Sequence, residues 1–297
     1  MSDGETPEHD LTIYPVMADP ETEVYREVPA PLPVAPFTLA CVGMRGSSKS
    51  TTLVNLIARP YPFYGAATKV TKDEKTHPVF DQIYIISPSL GHDATTKCLL
   101  DIVPEENRFE KYDDSIVEQL IEFQKSQPPP RQKILLIADD LLGMGISPTA
   151  AIYRLPSLCR HFQISTIFLT QMLRGHHALP PATRVNTEYF LLFKTANAKE
   201  IEKTAEEMAM FGSPQNYKNL YFDAVMQKPY EFLYLDCKKY KAFRNFGEEM
   251  WSKYDENGQF APDYVPQSEE GREAMAAIEG TSSKPRRSGR KKKLDEE

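Results

Sequence analysis

The segment GMRGSSKST contains residues whose types and spacing suit binding of the phosphates of a nucleotide. A triphosphate is held by backbone N–H groups that point inward, by a helix N-terminus and by a lysine that reaches the terminal phosphates. Gly43 allows a tight turn after an apolar run, Gly46 lets the backbone curl without a Cβ, and Lys49 is placed to contact the phosphates. The predicted nucleotide-binding residues are Gly43, Met44, Arg45, Gly46, Ser47, Ser48, Lys49, Ser50 and Thr51.

Ser48 stands where the common pattern of this loop, G-x-x-x-x-G-K-[ST], has glycine. Because a serine offers the same backbone N–H, we expect the substitution to affect the affinity for the nucleotide more than the nature of the site. Ser50 supplies the hydroxyl that would be a ligand of Mg²⁺. The alternative is a turn of small residues before a helix, in which Ser47 or Ser48 serves only as the N-cap.

Two acids, Asp139 and Asp140, end the apolar run KILLIADD. Ligands of α/β proteins bind at the carboxyl ends of the strands, so we expect these acids beside the phosphate loop. Asp139 would hold Mg²⁺, directly or through its water, and Asp140 would act as, or position, the base for the attacking water. A strand followed by a polar turn is the alternative, but the two features in this order favour hydrolysis of a nucleoside triphosphate.

Two further side chains would complete such a site. Gln171 directly follows the run ISTIFLT and would sense the γ-phosphate or hold the attacking water; an ordinary surface glutamine is the alternative. Arg184 precedes the fifth apolar run and would stabilise charge on the γ-phosphate of a neighbouring subunit, with Arg160 and Arg174 as alternatives. The predicted catalytic residues are Lys49, Asp140, Gln171 and Arg184, and the predicted metal ligands are Ser50 and Asp139.

Short apolar runs, with helical patterns between them, must position these residues. Most of the runs are continuous rather than alternating, which is typical of strands covered on both faces in a largely parallel sheet. Helices are predicted at 113–126, after an Asp cap, and at 197–212, between an Asn cap and a glycine. This order predicts an α/β fold with helices on both faces of a mostly parallel central sheet. The predicted strands are 37–43, 82–88, 133–139, 164–170, 187–193 and 230–236.

The motifs GMRGSSKST, LLIADD, IFLTQ and LPPATRVNTEYFLLF together resemble the packaging ATPases of nucleocytoplasmic large DNA viruses, the poxvirus-type members of the FtsK–HerA superfamily. The resemblance implies an ASCE, RecA-like P-loop NTPase that uses ATP and Mg²⁺. It also implies a homo-oligomeric ring, with six as the expected number of subunits, that moves double-stranded DNA into a capsid. Two departures are Ser48 in place of glycine and Asp140 where many members have glutamate.

The resemblance covers the middle of the chain and suggests three parts. We expect residues 1–35 to be a flexible Pro-rich acidic arm and residues 36–260 to be a P-loop ATPase domain. Residues 261–297 are expected to be weakly structured, with a short helix around 268–279 and a basic tail. Residues 60–80 read as a long insertion, and residues 213–229 as a helix or a loop.

A packaging motor contacts DNA phosphates without regard to sequence, so basic groups are candidate contacts. One group is Lys69, Lys72 and Lys75, and the other is Lys238, Lys239, Lys241 and Arg244; a solvated surface is the alternative for both. A capsid or portal protein is a further expected partner.

The last 14 residues hold seven basic and three acidic residues, whereas the whole chain has a net charge of −7. This tail either engages a nucleic acid or an import receptor, or only keeps the protein in solution.

Composition excludes some other classes of protein. The chain is 41% hydrophobic and 26% charged and has no apolar run long enough for a membrane span. The N-terminal residues lack an apolar segment and the four cysteines are far apart, so we expect an unsecreted protein with reduced thiols in a cytosol-like compartment. The resemblance to viral packaging ATPases implies viral factories in the host cytoplasm, and the virion, as the location. The alternatives to a packaging motor are a cellular-type DNA pump or helicase and a nucleotide-binding assembly protein without turnover.

Overall fold

The computed structural model describes residues 28–60, 62–65, 78–92, 95–175 and 178–282. The candidate DNA contacts Lys69, Lys72 and Lys75 lie outside these ranges, as do the basic tail and most of the N-terminal arm. The described part of the chain contains no helix that is long and apolar enough to cross a membrane.

A single sheet forms the centre of the fold. In the described part of the chain its nine strands are β1 (Thr38–Val42), β2 (Gln82–Ile86), β3 (Arg108–Phe109), β4 (Ile134–Asp139), β5 (Ile164–Thr170), β6 (Tyr189–Phe193), β7 (Phe232–Asp236), β8 (Lys241–Arg244) and β9 (Glu248–Ser252). Their spatial order is β3-β2-β4-β5-β1-β6-β7-β8-β9. The strands from β3 to β6 in this order are parallel, whereas β7, β8 and β9 are added in antiparallel fashion. The six predicted strands are therefore confirmed.

Helices cover both faces of this sheet. They are α1 (Lys49–Ala58), α2 (Asp114–Ser126), α3 (Ala151–Phe162), α4 (Pro181–Val185), α5 (Ala198–Glu207), α6 (Pro214–Val225) and α7 (Glu269–Ser282). Alternate residues of β1 enter two separate cores: Ala40 packs in the core with α2, α3, α5 and α6, and Leu39 packs in the core with α1. Because both faces of the sheet are buried, the strands need no polar face. Each fully buried Leu, Ile or Phe side chain of a strand contributes about 1.5–3 kcal/mol to the stability of the fold. The predicted α/β fold, with a mostly parallel sheet between helices, is confirmed.

The strand order brings three chain segments to one edge of the sheet. Strand β1 lies between β5 and β6, and β4 pairs with the other side of β5. Because these strands are parallel, their carboxyl ends lie at the same edge. The residues that follow β1, β4 and β5 are therefore close neighbours although they are far apart in sequence.

Several elements were not predicted from the sequence as the structure shows them. Helix α3 contains Pro156, which weakens any prediction of a helix from pattern alone. Strands β8 and β9 are short and have charged residues at their ends, so their apolar pattern is weak. The segment 213–229, predicted as a helix or a loop, forms α6; Ser213 caps its first turn by accepting from Asn216 N, and Pro214 occupies its first position.

The chain beyond β9 is bound to α6 through Asp223, which is fully buried. The Tyr264 hydroxyl, Gln267 N and Ser268 N donate hydrogen bonds to its carboxylate, and Arg244 forms an ion pair with it at 3.3 Å. Burial opposes the charge of Asp223, yet these hydrogen bonds lower its pKa. The helix expected around 268–279 is present as α7, whereas the division of the chain at residue 260 stays a prediction.

Candidate active site

The phosphate loop, residues 43–48, connects β1 to α1. Gly43 N donates to Thr170 O at 3.1 Å and Met44 N donates to Lys194 O at 3.4 Å, so the loop begins between the ends of β5 and β6. A Cβ on Gly43 would lie 2.6 Å from the Cβ of Phe193, which only glycine avoids. Gly46 has a φ of 77°, in the left-handed region that glycine adopts at little cost.

Ser48 also has a left-handed backbone, with a φ of 80° and a ψ of 17°. It occupies the N-cap position of α1, but its side chain makes no capping hydrogen bond. Ser47 Oγ is buried without a hydrogen-bond partner among the residues described. Ser48 therefore adopts a conformation suited to glycine, so the loop keeps its shape at a cost in backbone energy.

Replacing Ser48 by glycine should stabilise the protein. A left-handed backbone costs a residue with a Cβ about 1–2 kcal/mol, which exceeds the entropy that glycine adds to the unfolded chain, so we expect a gain of about 0.5–1 kcal/mol for Ser48→Gly. Urea unfolding measures this change. The matched control is Ser157→Gly, at an exposed position inside α3, which should destabilise the protein. A lower unfolding midpoint for Ser48→Gly would show that the serine side chain is needed there.

The side chain of Lys49 lies over the phosphate loop. Its Nζ donates to Gly43 O at 2.6 Å and to Met44 O at 3.1 Å. Burial lowers the pKa of Lys49, whereas the charges of Asp139 and Asp140 act in the opposite direction. Burial also raises the pKa of the Cys41 thiol to about 12, so this thiol stays neutral beneath the loop.

The two acids follow β4 at the same edge of the sheet. Asp139 is the last residue of β4 and accepts a hydrogen bond at 2.9 Å from the hydroxyl of Ser87, which follows β2. Asp140 turns the chain with a left-handed φ of 50°, and its backbone N donates to Leu169 O at 3.2 Å. Aspartate tolerates this backbone better than most residues, so the turn directs the acid without a large cost.

A single cavity of about 610 Å³ is lined by residues 45–51, Asp139, Asp140 and Gln171. The structure thus brings the predicted loop, the acid pair and the glutamine together, while Gly43 and Met44 fix the start of the loop. Five other lining residues were not predicted from the sequence: Ser89, Thr95, Leu169, Thr170 and Tyr230. Ser87 was not predicted either, although a polar residue at the carboxyl end of a strand is a usable signal.

The oxygens of Ser50 and Asp139 suit Mg²⁺. A hydroxyl and a carboxylate are hard ligands, and Mg²⁺ is usually bound by one or two protein groups together with phosphates and water. Among the described residues, no group of three or more His, Cys, Asp and Glu side chains forms a closed metal site. The donor set therefore fits a magnesium nucleotide, and the assignment of the two ligands stays a prediction.

Arg184 is not part of this cavity. Its Nε lies 2.5 Å from Glu207 Oε1, its Nη1 donates to Leu179 O at 2.5 Å, and its side chain is only 12% exposed. Arg174 also pairs with Glu207, whereas the Arg160 side chain is 72% exposed and pairs with Glu188. Strands β1 and β6 are parallel, so Arg184, which precedes β6, lies at the opposite end of the strands from the phosphate loop, which follows β1. Its action on the nucleotide of a neighbouring subunit stays a prediction.

Acidic residues pair with most of the basic group after β7. Lys238 lies 2.8 Å from Glu188, Lys241 lies 2.8 Å from Glu249, and Arg244 lies 2.6 Å from Glu248. Lys239 is exposed and forms no ion pair with the residues that the structure describes. It is therefore the member of this group best placed to contact a phosphate from outside the chain.

The family to which this chain belongs follows from a match to a known protein family. The family described as "Poxvirus A32 protein" matches residues 29–228. The chain belongs to the poxvirus A32 protein family. The matched residues include the phosphate loop, the acid pair, Gln171 and Arg184. Membership in this family confirms the resemblance to poxvirus-type proteins that the motifs predicted.

Solved structures with a similar chain path include two viral proteins and one bacterial protein. The genome packaging NTPase B204 of Sulfolobus turreted icosahedral virus 2, in complex with AMP, is 17% identical over 70% of this chain and 96% of its own, with a TM-score of 0.44. The DNA-packaging ATPase B204 of Sulfolobus turreted icosahedral virus is 16% identical over 71% and 97%, with a TM-score of 0.45. The cytoplasmic domain of the type VII secretion ATPase EccC of Thermomonospora curvata is 12% identical over 75% and 24%, with a TM-score of 0.41. No curated protein matches the chain significantly.

Proposed function

We propose that this protein is an ATPase that moves double-stranded DNA into a viral capsid. The observation that carries the proposal is the convergence of the phosphate loop, the acid pair and Gln171 on one cavity. Membership in the poxvirus A32 family supports the same function. In phosphoryl transfer the protein contributes mainly by positioning and by electrostatic stabilisation, and these residue types supply both.

The predicted site residues have distinct tasks in this proposal. The backbone N–H groups of the loop hold the phosphates, and the Lys49 ammonium neutralises charge on the β- and γ-phosphates. Asp140 accepts the proton of the attacking water, or orients that water, and Gln171 holds it in line. Mg²⁺, bound by Ser50 and Asp139, would neutralise charge on the phosphate oxygens. The hydrogen bond from Ser87 keeps Asp139 in the orientation needed for this contact.

Coupling to DNA requires contacts that do not depend on sequence and a ring in which subunits share sites. Lys239 would contribute a phosphate contact, and Arg184 would act on the nucleotide of the next subunit. Such an activity would be needed at viral factories in the host cytoplasm and in the virion. A capsid or portal protein would receive the DNA.

Phosphate release, measured with and without duplex DNA over a range of protein concentrations, tests this function. We expect the rate per subunit to rise with protein concentration, as rings form, and to rise again with duplex DNA of any sequence. The stimulation should fall as salt is added, because phosphate contacts release counterions. Hydrolysis that duplex DNA leaves unchanged would contradict the translocase, and the absence of any hydrolysis would favour a nucleotide-binding assembly protein.

A further inference from the structure

Tyr230 lines the cavity of the phosphate loop but has no part in the chemistry described above. It lies in the turn that leads into β7, which pairs antiparallel with β6. The first residue of β7, Phe232, pairs with Phe193, the last residue of β6. Since Phe193 contacts the position of Gly43, this turn lies at the edge of the sheet that carries the phosphate loop.

The backbone of Tyr230 is strained. Its φ of 72° lies in the left-handed region, where a bulky aromatic residue is rare. Six non-glycine residues in the described part of the chain have such a backbone, and three of them, Ser48, Asp140 and Tyr230, line this one cavity. Because strained residues cluster at ligand-binding sites, the position of Tyr230 indicates a function in binding.

Packing does not account for the presence of a tyrosine in this turn. Tyr230 is 71% exposed, so its ring gains little from burial. The turn itself is ordered by other groups: Lys228 N donates to the carboxylate of Glu231 at 2.8 Å, and Phe232 N donates to Asn245 Oδ1 at 3.1 Å. The chain therefore holds an exposed aromatic ring at the mouth of the cavity, in a conformation that glycine would adopt more easily.

The chemistry of the cavity identifies what this ring would contact. Apart from Tyr230, the residues that line it are small, polar or charged, with Leu169 as the exception. The phosphates of a nucleotide need the loop and Lys49, whereas its base needs a flat surface with a π-face. Tyr230 supplies the aromatic ring at this cavity. Strands β5, β1 and β6 separate β4, which ends at the acid pair, from β7, which follows Tyr230, so the ring and the acid pair lie on opposite sides of the phosphate loop.

We propose that Tyr230 stacks on the base of the bound nucleotide and makes the site prefer purine over pyrimidine triphosphates. A purine offers a larger surface for stacking than a pyrimidine, so the same ring distinguishes the two classes. This inference rests on the proposed nucleotide-binding function. It adds the residue that recognises the base to those that bind the phosphates.

Calorimetric titration of the full-length protein with ATP, CTP and inorganic tripolyphosphate tests this assignment, in the wild type and in three variants. Tyr230→Phe should bind all three ligands as the wild type does, because it keeps the ring. Tyr230→Ala and Tyr230→Gly should bind ATP about tenfold more weakly, because they lose the stacking of the base on the aromatic ring. Binding of tripolyphosphate should be unchanged, and the preference for ATP over CTP should shrink.

Stability measurements on the same variants separate binding from structure. Tyr230→Gly should unfold at a higher urea concentration than the wild type, because glycine relieves the left-handed strain. A variant that is more stable and yet binds ATP more weakly cannot be explained by damage to the fold. The inference is overturned if Tyr230→Ala binds ATP as the wild type does, or if ATP and tripolyphosphate lose affinity equally. If the wild type binds no ATP at all, the proposed function fails as well, so the two failures are distinguishable.

Discussion

Asp140→Asn should lower the rate of ATP hydrolysis by about 10²–10⁴-fold, which is the usual contribution of a general base. Asparagine is nearly the same size as aspartate and tolerates the left-handed backbone at this position, where φ is 50°. The hydrogen bond from its backbone N to Leu169 O does not involve the side chain. We therefore expect the fold and the binding of ATP to be retained. Phosphate release under single-turnover conditions measures the effect on the chemical step.

The control for this prediction removes a carboxylate elsewhere. Asp101 is exposed, is the last residue of a short 3₁₀ helix (Lys97–Asp101) and does not line the cavity. Asp101→Asn should hydrolyse ATP at the wild-type rate, because removal of one distant surface charge is screened by solvent. An Asp140→Asn variant that is as active as this control would exclude Asp140 as the base.

Lys49→Ala should lower ATP hydrolysis by about 10²–10³-fold and should also weaken the binding of ATP. The ammonium is partly buried beside the loop, where its charge acts in a less polar environment than water and is therefore more effective. Its removal leaves the phosphate charge with the backbone N–H groups alone. Equilibrium binding and steady-state rates together separate the two effects.

Two further variants accompany this measurement. Lys49→Arg keeps the charge but changes its shape, so we expect it to recover binding more than turnover. Lys199→Ala removes an exposed lysine from the first turn of α5 and should leave both quantities unchanged. Full hydrolysis by Lys49→Ala would mean that the phosphate loop is not the site of the reaction.

Local patterns in the sequence were sufficient to predict the central sheet and most of the site. The strands are continuous apolar runs because helices cover both faces, and this signal does not depend on distant residues. Gly43, Lys49 and the acid pair could be found because each chemical task requires a particular residue type at a strand end. The separation of β1 from β4 by β5 then follows from the topology, and it accounts for the position of Gln171.

Features that depend on distant residues could not be predicted. The local sequence predicts Tyr230 as the start of a strand, because the hydrogen bond that Phe232 N donates to Asn245 Oδ1, which orders this turn, involves a residue beyond β8. The ion pair between Arg184 and Glu207 joins residues that are far apart in sequence, and so the limited exposure of Arg184 was missed. Strand β8 pairs antiparallel with β7, and β9 pairs antiparallel with β8; this pairing stabilises segments with only a weak strand pattern.

A crystal structure of the protein with Mg²⁺ and a non-hydrolysable ATP analogue is the most direct test of the central claim. It should show one nucleotide in the cavity, with Lys49 Nζ about 3 Å from a terminal phosphate oxygen and the acid pair facing the γ-phosphate. The base should lie against Tyr230. A nucleotide bound elsewhere, or an acid pair that faces away from the triphosphate, would contradict the account.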